Sequence, residues 1–409
     1  MYAQPQRLKL ILLCAVLGLT VAVAAVHADT VVYHPELAPR FPSVEGQGGV
    51  MALQGGLPSL FGNPAAAGRH GSGLHLYSLG WSTVPFDRLI PAWQRSSDSD
   101  NRLAGLLLQL ESGLGGRAAG GGYLAGVART GTGFNTGLML TSQLIAVGDN
   151  LEEMAGALEF QISAHFGWVQ EFQALDSTWT AGGQVRPMIR THTPLAGESL
   201  FMLEDDTPVP REDGLDGLPS LSGITLALDG GITWQRDAFS AGLYGRNLSA
   251  PAIDYTLNSY GEVRDELMDQ FGIPSRSTAS SEDRSRYLDG IQYRIPATAG
   301  VGVAWDPVIP DYSYLINPAF QLEYRTVFDG EPMDPWYGLH AGGQVEILQF
   351  LRLWGGWGQG QISGGIGARF WLIEIAGAWY STQGRGAIGA EPLPQWSQQG
   401  FSLEIGLRL

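Results

Sequence analysis

Four stretches of the chain alternate apolar and polar residues with the period of two that is typical of β-strands. They cover residues 154–168, 224–234, 320–328 and 401–409. In the first stretch Leu158, Phe160 and Ile162 share one face, and Glu159 and Ser163 lie on the other. A tilted strand needs about 9–11 residues to cross a hydrocarbon layer. Strands of this length with one apolar face therefore predict a membrane-spanning sheet.

Further stretches with weaker strand patterns bring the total to about fifteen. They cover residues 73–82, 103–113, 119–129, 133–144, 178–191, 238–249, 289–305, 337–348, 350–358, 361–370 and 372–382. The weakest is 178–191, because Pro187 removes a backbone donor from it. Single-chain bacterial barrels have an even number of strands. The predicted fold is therefore all-β, a transmembrane antiparallel β-barrel of about 14 strands over residues 73–409.

Tryptophans fall near the ends of many of these stretches, where a membrane barrel carries an aromatic girdle. They are Trp81, Trp168, Trp234, Trp305, Trp336, Trp354, Trp371 and Trp379. The alternative is that these rings form the core of a soluble secreted β-protein such as a lectin. Extraction without detergent would identify a protein of that kind.

One long apolar run, residues 10–26, follows Arg7 and Lys9. A basic start, an apolar run of this length and small residues up to Ala28 are typical of a secretory signal peptide. We expect residues 1–28 to be removed by cleavage after Ala28, with a retained N-terminal anchor as the alternative. The only cysteine, Cys14, lies in this run, so the rest of the chain has no thiol chemistry.

Residues 29–72 precede the first strand of the predicted barrel, and their Gly- and Pro-rich part, 46–68, has no strand pattern. We interpret residues 29–72 as a periplasmic N-terminal hatch, or plug. Polar stretches elsewhere are predicted to be long loops. They are 85–102, 198–219 and 251–286. The last of them has a short helix pattern at 262–271.

The composition narrows the choice of function class. Lys and Arg total 24 against 40 Asp and Glu, and the formal net charge of −16 argues against a nucleic-acid partner. Hydrophobic residues make up 44% of the chain, too large a share for a disordered protein. The sequence has no second long apolar run, which excludes a bundle of transmembrane helices.

Two N-terminal motifs resemble the hatch of FadL-type outer-membrane transporters and of the related PorV-type barrels. One is the sequence GQGGV at 46–50, and the other is FGNPAA at 61–66. The second holds the Asn-Pro-Ala that these families carry just before the barrel. The resemblance implies that Asn63, Pro64 and Ala65 belong to the hatch and the substrate path. Since Pro64 fixes φ and Asn63 can cap its own backbone, the pair can hold a rigid bend.

Later blocks at 241–248, 295–304 and 339–367 are also similar to PorV-type sequences. Two residues depart from the family pattern. Gln344 stands where an acidic residue is usual, and Leu409 replaces the terminal aromatic residue of the assembly signal. Because Leu409 keeps the apolar alternation, we expect the barrel-assembly machinery to recognise the C-terminal strand.

The sequence shows no pattern for catalysis, so we expect neither an enzyme nor a bound cofactor. It has no Gly-x-Ser-x-Gly elbow and no HExxH, and we expect no metal site. The histidines beyond the signal peptide are His34, His70, His75, His165, His192 and His340. Polar residues, among them charged residues of both signs, share the inward parity of the strands, which predicts Arg–Glu pairing across the interior. Examples are Glu159, His165, Asp229, Gln321, Glu323, Arg325, His340, Gln344, Glu346, Arg369, Glu374, Glu404 and Arg408.

The pattern and the resemblance together predict a plugged barrel in the outer membrane of a Gram-negative bacterium. By resemblance to FadL-type transporters, it would pass small hydrophobic molecules inward, of the fatty-acid or aromatic-hydrocarbon type. Its partners would be outer-membrane lipid and a hydrophobic small-molecule ligand. The alternative is a PorV-type accessory barrel that serves protein export or surface attachment without solute transport.

Overall fold

The structure is a computed structural model that describes residues 30–34, 36–37, 39–69, 72–83, 119–147, 155–196, 201–204, 207–210, 216–270, 291–310, 312–328, 334–384, 387–388, 391–392 and 396–409. The predicted signal peptide 1–28, loop 85–102 and strand 103–113 lie outside these residues. The α-helices are Pro42–Glu45, Tyr260–Gln270 and Pro335–Gly338, and the 3-10 helices are Leu57–Phe61 and Pro64–Gly68. No helix in the described residues is long and apolar enough to span a membrane.

Fourteen wall strands form one closed antiparallel barrel. The strands in chain order are β1 Thr30–Tyr33, β2 Gly73–Ser82, β3 Ala119–Thr130, β4 Gly133–Val147, β5 Ala155–Ala174, β6 Ser177–Ala196, β7 Phe201–Glu204, β8 Thr207–Pro210, β9 Pro219–Arg236, β10 Phe239–Arg246, β11 Ala252–Ser259, β12 Ile291–Arg294, β13 Ala297–Trp305, β14 Ile316–Phe328, β15 Leu339–Ile347, β16 Leu351–Gly358, β17 Gln361–Phe370, β18 Ile373–Gly384, β19 Ala387–Ile388, β20 Glu391–Pro392 and β21 Trp396–Arg408. The fourteen wall strands are β2–β6, β9, β10 together with β11, β12 together with β13, β14–β18 and β21. The barrel closes where β2 pairs with β21, from His75 opposite Arg408 to Ser82 opposite Phe401. The predicted fold and strand number are confirmed.

Two neighbouring wall strands are each broken into two parts. The seventh consists of β10 and β11, which both pair antiparallel with β9. Between them Asn247 and Ala250 have φ of 50° and 39°, and Pro251 has no N–H to donate. The eighth consists of β12 and β13, separated by Ile295 and Pro296. The Ile295 N–H donates to the Pro251 carbonyl at 3.1 Å, so the two breaks lie side by side.

Strand β1 adds to the wall next to these breaks. It runs parallel to β12, with Thr30 opposite Ile291 and Tyr33 opposite Arg294. β11 pairs with the other edge of β12 through two residue pairs, Ala252–Arg294 and Ile253–Tyr293. The start of the N-terminal segment therefore completes the wall where the regular ladder between the seventh and eighth strands is shortest.

Side chains alternate between a polar interior and an apolar exterior. Ile224 and Ile405 point outward with 68% and 53% of their surface exposed, while Asp229 and Glu323 are buried inside. Apolar residues on almost every wall strand share the outward face. An apolar outer face suits contact with lipid, and a polar inner face suits the interior of a barrel. This arrangement excludes the alternative of a soluble secreted β-protein.

Two stretches predicted to be long loops contain regular structure. The first, 251–286, includes β11 and the helix Tyr260–Gln270. The prediction of a loop is therefore wrong for β11, whereas the predicted short helix is present. The second, 198–219, includes the hairpin of β7 and β8. β11 does alternate, but its apolar residues Ile253, Tyr255 and Leu257 are buried and face inward. The interpretation of this stretch as a polar loop overlooked the alternation, whose apolar residues face inward rather than outward as is usual in a membrane barrel.

The strand pattern interrupted by Pro187 belongs to β6, one of the longest strands of the wall. Pro187 pairs with Leu226 of β9 on one side. On the other side the ladder to β5 passes from the pair Phe166–Val185 to the pair Ser163–Met188. The missing N–H is thus accommodated by a local gap in one ladder, and the strand continues.

We predict that Ile162→Arg on the outward face of β5 destabilises the barrel by up to about 4 kcal/mol, because it places a guanidinium in contact with hydrocarbon. The control is Glu171→Arg, at an exposed position near the end of the same strand, which should cost at most about 1 kcal/mol. The measurement is the free energy of unfolding from urea titration in lipid vesicles. Equal losses for the two variants would contradict the assignment of the faces.

Candidate functional site

The N-terminal segment, residues 30–69, packs against the inward side of the barrel wall. Phe41, Leu57 and Phe61 are fully buried. They belong to a continuous apolar cluster of the segment and of β2, β3, β4, β10 and β13. Its members are Phe41, Val44, Met51, Ala52, Leu53, Leu57, Leu60, Phe61, Leu79, Trp81, Leu124, Ala128, Met139, Tyr244 and Ala304. Hydrophobic burial therefore holds the middle of the segment inside the barrel.

Asn63, Pro64 and Ala65 form a rigid bend within this segment. Asn63 is fully buried and precedes the 3-10 helix Pro64–Gly68. Its side-chain oxygen accepts a hydrogen bond from the Ala65 N–H at 3.0 Å, and its Nδ2 donates to the Ala52 carbonyl at 2.8 Å. The Asn side chain thus caps the turn and ties it to the preceding part of the segment.

Glycines on the wall allow this bend to approach the strands closely. A Cβ on Gly231 of β9 would lie 2.0 Å from Oδ1 of Asn63, and one on Gly182 of β6 would lie 2.7 Å from Cα of Ala65. Any larger residue at either position would push the bend away from the wall. Because Gly182 and Gly231 have no side chain, the bend can pack directly against the backbones of these two adjacent strands.

The backbone of Gly48 meets the opposite part of the wall. Its N–H donates to Oγ of Ser363 on β17 at 3.0 Å. Its carbonyl oxygen lies 2.6 Å from Nδ1 of His340 on β15. Gly48 has a φ of +73°, a conformation that favours glycine. The segment is thus bonded to the wall on both sides of the lumen.

The Glu36 carboxylate binds two buried arginines of the wall. Arg186 of β6, which is fully buried, donates to Oε1 of Glu36. Arg246 of β10 donates to the same oxygen at 2.5 Å, and Nδ2 of Asn247 donates to Oε2 at 3.0 Å. Asp229 of β9 lies 3.4 Å from Nε of Arg186. The two carboxylates balance the two guanidinium groups, which cannot lose their charge.

Burial by itself raises the pKa of the Glu36 carboxyl. Arg186 and Arg246 outweigh that effect and hold the pKa below its ordinary value of 4.5. Glu36 is therefore ionised at neutral pH. Its charge stabilises the folded protein above pH 4.5, and this contribution is lost as the pH falls through the lower pKa of the folded state.

A second wall carboxylate, Glu323 of β14, binds the backbone of the segment. Its Oε2 accepts from the N–H groups of Met51 and Ala52 at 2.5 and 2.7 Å. Its Oε1 accepts from the Tyr244 hydroxyl at 2.8 Å and from Arg325 at 3.1 Å. Arg325 also donates to the carbonyl of Gly49. Backbone groups that a non-regular segment leaves unpaired are thus satisfied by charged wall residues.

A cavity of about 70 Å³ lies between the segment and the wall. Arg40, Glu45, Arg325, His340, Ser363 and Tyr380 contribute to its lining. Ligand pockets for small molecules are commonly about 300–1,000 Å³. This cavity is too small for such a ligand.

A second apolar cluster lies at the breaks in the wall. Its members come from β1, β6, β9, β11, β12 and the residue after β12. They are Val32, Met188, Leu221, Ala227, Ile253, Tyr255, Leu257, Tyr293 and Ile295, all of them buried. Most inward positions of a membrane barrel are polar. The inward apolar residues at the breaks therefore depart from the usual pattern of a barrel interior.

The structure buries many of the residues predicted to face the lumen. Glu159, His165, Asp229, Glu323 and Glu404 are all buried. The predicted pairing of opposite charges is confirmed by several ion pairs within the barrel. They are Arg190–Glu159, Arg186–Asp229, Arg325–Glu323 and Arg352–Glu374.

The sequence patterns placed Glu323, Arg325 and His340 inside the barrel, but the prediction missed Glu36, Arg186 and Arg246. Glu36 lies in a stretch without periodicity, so no pattern distinguishes it. Arg186 and Arg246 lie at inward positions of β6 and β10, and strand alternation could have identified them. Gln344, where an acidic residue was expected, accepts a hydrogen bond from Nε1 of Trp354 at 2.9 Å.

Comparison with known proteins finds likenesses among solved structures. No protein-family model matches the chain, and no curated protein matches it. A Pseudomonas aeruginosa FadL homologue is 12% identical, with 92% of this chain and 98% of that chain covered and a TM-score of 0.44. The CymD monoaromatic hydrocarbon channel is 11% identical, with 92% and 99% covered and a TM-score of 0.48. The Pseudomonas putida toluene transporter TodX is 9% identical, with 92% and 99% covered and a TM-score of 0.46.

We predict that Glu36→Gln lowers the free energy of unfolding by about 3–5 kcal/mol at pH 7, because it leaves two buried guanidinium groups without one carboxylate. The control is Glu45→Gln in the same segment. Glu45 pairs with one partly exposed arginine, Arg40, and its loss should cost about 1 kcal/mol or less. The measurement is urea unfolding in vesicles at pH 7 and at pH 3.

The difference between the wild type and Glu36→Gln should shrink as the pH falls below 4.5, because the wild-type carboxyl is then protonated first in the unfolded chain and, at lower pH, in the folded protein. A difference that stays constant over this range, or equal losses for the two variants at pH 7, would contradict the role given to the Glu36 charge.

Proposed function

We propose that the protein is an outer-membrane channel through which small hydrophobic molecules pass inward, with the N-terminal segment as its plug. The observation that carries the proposal is the apolar cluster on the inward face of the wall, directly beside the two broken strands. A barrel that served only as a scaffold would have no need of an apolar interior patch at this place.

The breaks would provide a hydrophobic molecule with a route through the wall. At Asn247–Pro251 and Ile295–Pro296 the regular ladder between the seventh and eighth strands is interrupted. Backbone groups of these residues bond to each other and to side chains; for example, Nδ2 of Asn247 donates to the Pro296 carbonyl at 3.2 Å. Such local bonds can be exchanged at less cost than a continuous ladder. A hydrophobic solute could therefore leave the apolar cluster sideways into lipid.

The N-terminal segment contacts the wall at two places, beside the breaks and at the bend. Strand β1 pairs with β12 beside the breaks, and the bend at Asn63–Pro64–Ala65 packs against β6 and β9. Since the segment is continuous, movement of the bend would pull on β1. We therefore propose that Asn63, Pro64 and Ala65 hold the plug in its closed position and that solute binding releases it.

We predict saturable binding of a long-chain carboxylic acid or a monoaromatic hydrocarbon to the purified protein in detergent. The expected strength is micromolar, about −8 kcal/mol. Leu221→Asn introduces an amide into the apolar cluster and should weaken binding at least about tenfold, a loss of roughly 1.4 kcal/mol. Leu226→Asn is the matched control, because it lies on the outward face of the same strand and should leave the affinity unchanged.

Uptake by cells that depend on this protein should fall in parallel for Leu221→Asn. It should also fall for Asn63→Ala, which removes the cap of the bend, while the binding affinity of that variant stays the same. Two results together would refute the channel and favour the accessory barrel. The first is that neither the carboxylic acid nor the aromatic hydrocarbon binds saturably. The second is that isolation of the protein from the cell envelope recovers an exported protein bound to it in stoichiometric amount.

A further inference from the structure

We propose that His34, Glu159 and His192 form a site for one divalent transition-metal ion of the zinc class. The site lies where the N-terminal segment meets the wall. His34 follows β1, while Glu159 of β5 and His192 of β6 are directly opposite each other in the ladder. All three side chains are more than nine-tenths buried. This inference concerns metal binding alone and does not depend on the proposed passage of a solute.

The three side chains bring a familiar set of ligand atoms together. One ring nitrogen of each histidine and one carboxylate oxygen of Glu159 lie within 4.8 Å of one another. The centroids of the two imidazole rings are 4.3 Å apart. Ligand atoms bound tetrahedrally to Zn²⁺ at 2.0–2.1 Å are separated by roughly 3.3 Å. Small side-chain rotations would therefore close the site around an ion.

One nitrogen of His34 is free for a metal, while His192 turns its Nδ1 toward the Glu159 carboxylate. Nδ1 of His34 lies 3.3 Å from the hydroxyl of Tyr255, and its Nε2 is buried and forms no hydrogen bond to any residue that the structure describes. Tyr255 thus orients His34 in the way that is common for metal-binding histidines. Nδ1 of His192 lies 2.9 Å from Oε1 of Glu159, a separation close to that of two ligand atoms on one ion, so a metal between them would replace their hydrogen bond.

The charge around the site selects the class of ion. Arg190 donates to Oε1 of Glu159 at 2.7 Å, so the one carboxylate is already partly neutralised. Ca²⁺ and Mg²⁺ need several oxygen ligands and would be poorly held here. Zn²⁺ and its neighbours bind neutral imidazole well, so two histidines can hold them beside a guanidinium. Oε2 of Glu159 takes part in neither of the bonds to Arg190 and His192, and it can serve as the third ligand.

A metal at this site would fasten the N-terminal segment to two strands of the wall. His34 is the first residue of the segment after β1, and its N–H already donates to the Arg294 carbonyl at 2.8 Å. The ion would add a bridge from this residue to β5 and β6, so its removal would loosen the start of the segment. The three residues follow no common spacing, so no sequence motif predicts the site.

The test is Zn²⁺ binding to the untagged, full-length protein after chelator treatment, measured by equilibrium dialysis and elemental analysis. We expect one saturable Zn²⁺ per chain. His34→Gln and His192→Gln should each weaken binding at least about tenfold, and Tyr255→Phe should weaken it by about tenfold because His34 loses its orienting partner. His75→Gln is the control, since His75 is buried on β2 and bonded to Thr130, outside the site. The Zn²⁺ affinity of His75→Gln should equal that of the wild type.

Co²⁺ provides a second measurement on the wild-type protein alone, which covers the case in which a variant fails to fold. We expect a visible absorption band of four-coordinate Co²⁺ that Zn²⁺ displaces. Heat-dependent gel mobility checks that each variant is a folded barrel. Absence of saturable Zn²⁺ binding, absence of the Co²⁺ band, or wild-type affinity in folded His34→Gln would overturn the proposal.

Discussion

The interior of this barrel depends on the pairing of wall arginines with carboxylates, one of which belongs to the N-terminal segment. Arg186 is fully buried and cannot shed its charge, so it requires compensation inside the barrel. Asp229 provides part of it from the wall, and Glu36 provides the rest from the segment. Since taking charges out of water is expensive unless they are well paired, the folded wall and the docked segment stabilise each other.

Apolar packing and close backbone contact then determine how the segment is placed. The aromatic rings of Phe41 and Phe61 are buried with the inward residues of several strands. Gly182 and Gly231 leave room for the bend at Asn63, and Glu323 receives the N–H groups that the irregular backbone leaves unpaired. Each of these contacts joins the segment to a different part of the wall, so displacement of the segment requires several of them to break together.

The sequence was sufficient to predict the strands of the barrel, but not the contacts between residues in its interior. Alternation is a local property, so it placed Ile162 outward and Glu159 inward and led to the correct strand number. It failed for β11, where Ile253 and Leu257 face inward and reverse the usual order. The partners of Glu36 and the group of His34, Glu159 and His192 arise from contacts between residues distant in sequence, which no single stretch of the chain encodes. The cap of Asn63 on its own turn was predictable because it is local.

If the N-terminal segment fills a lumen that would otherwise be open to water, its removal should be visible electrically. The measurement is the conductance of single barrels in planar lipid bilayers, with and without residues 30–69. We expect that the full chain is silent and that a deletion variant, shown to be folded by gel mobility, conducts ions, because a barrel of this strand number without a plug leaves a polar lumen. A folded deletion variant that remains silent would contradict this expectation and show that wall side chains alone close the barrel.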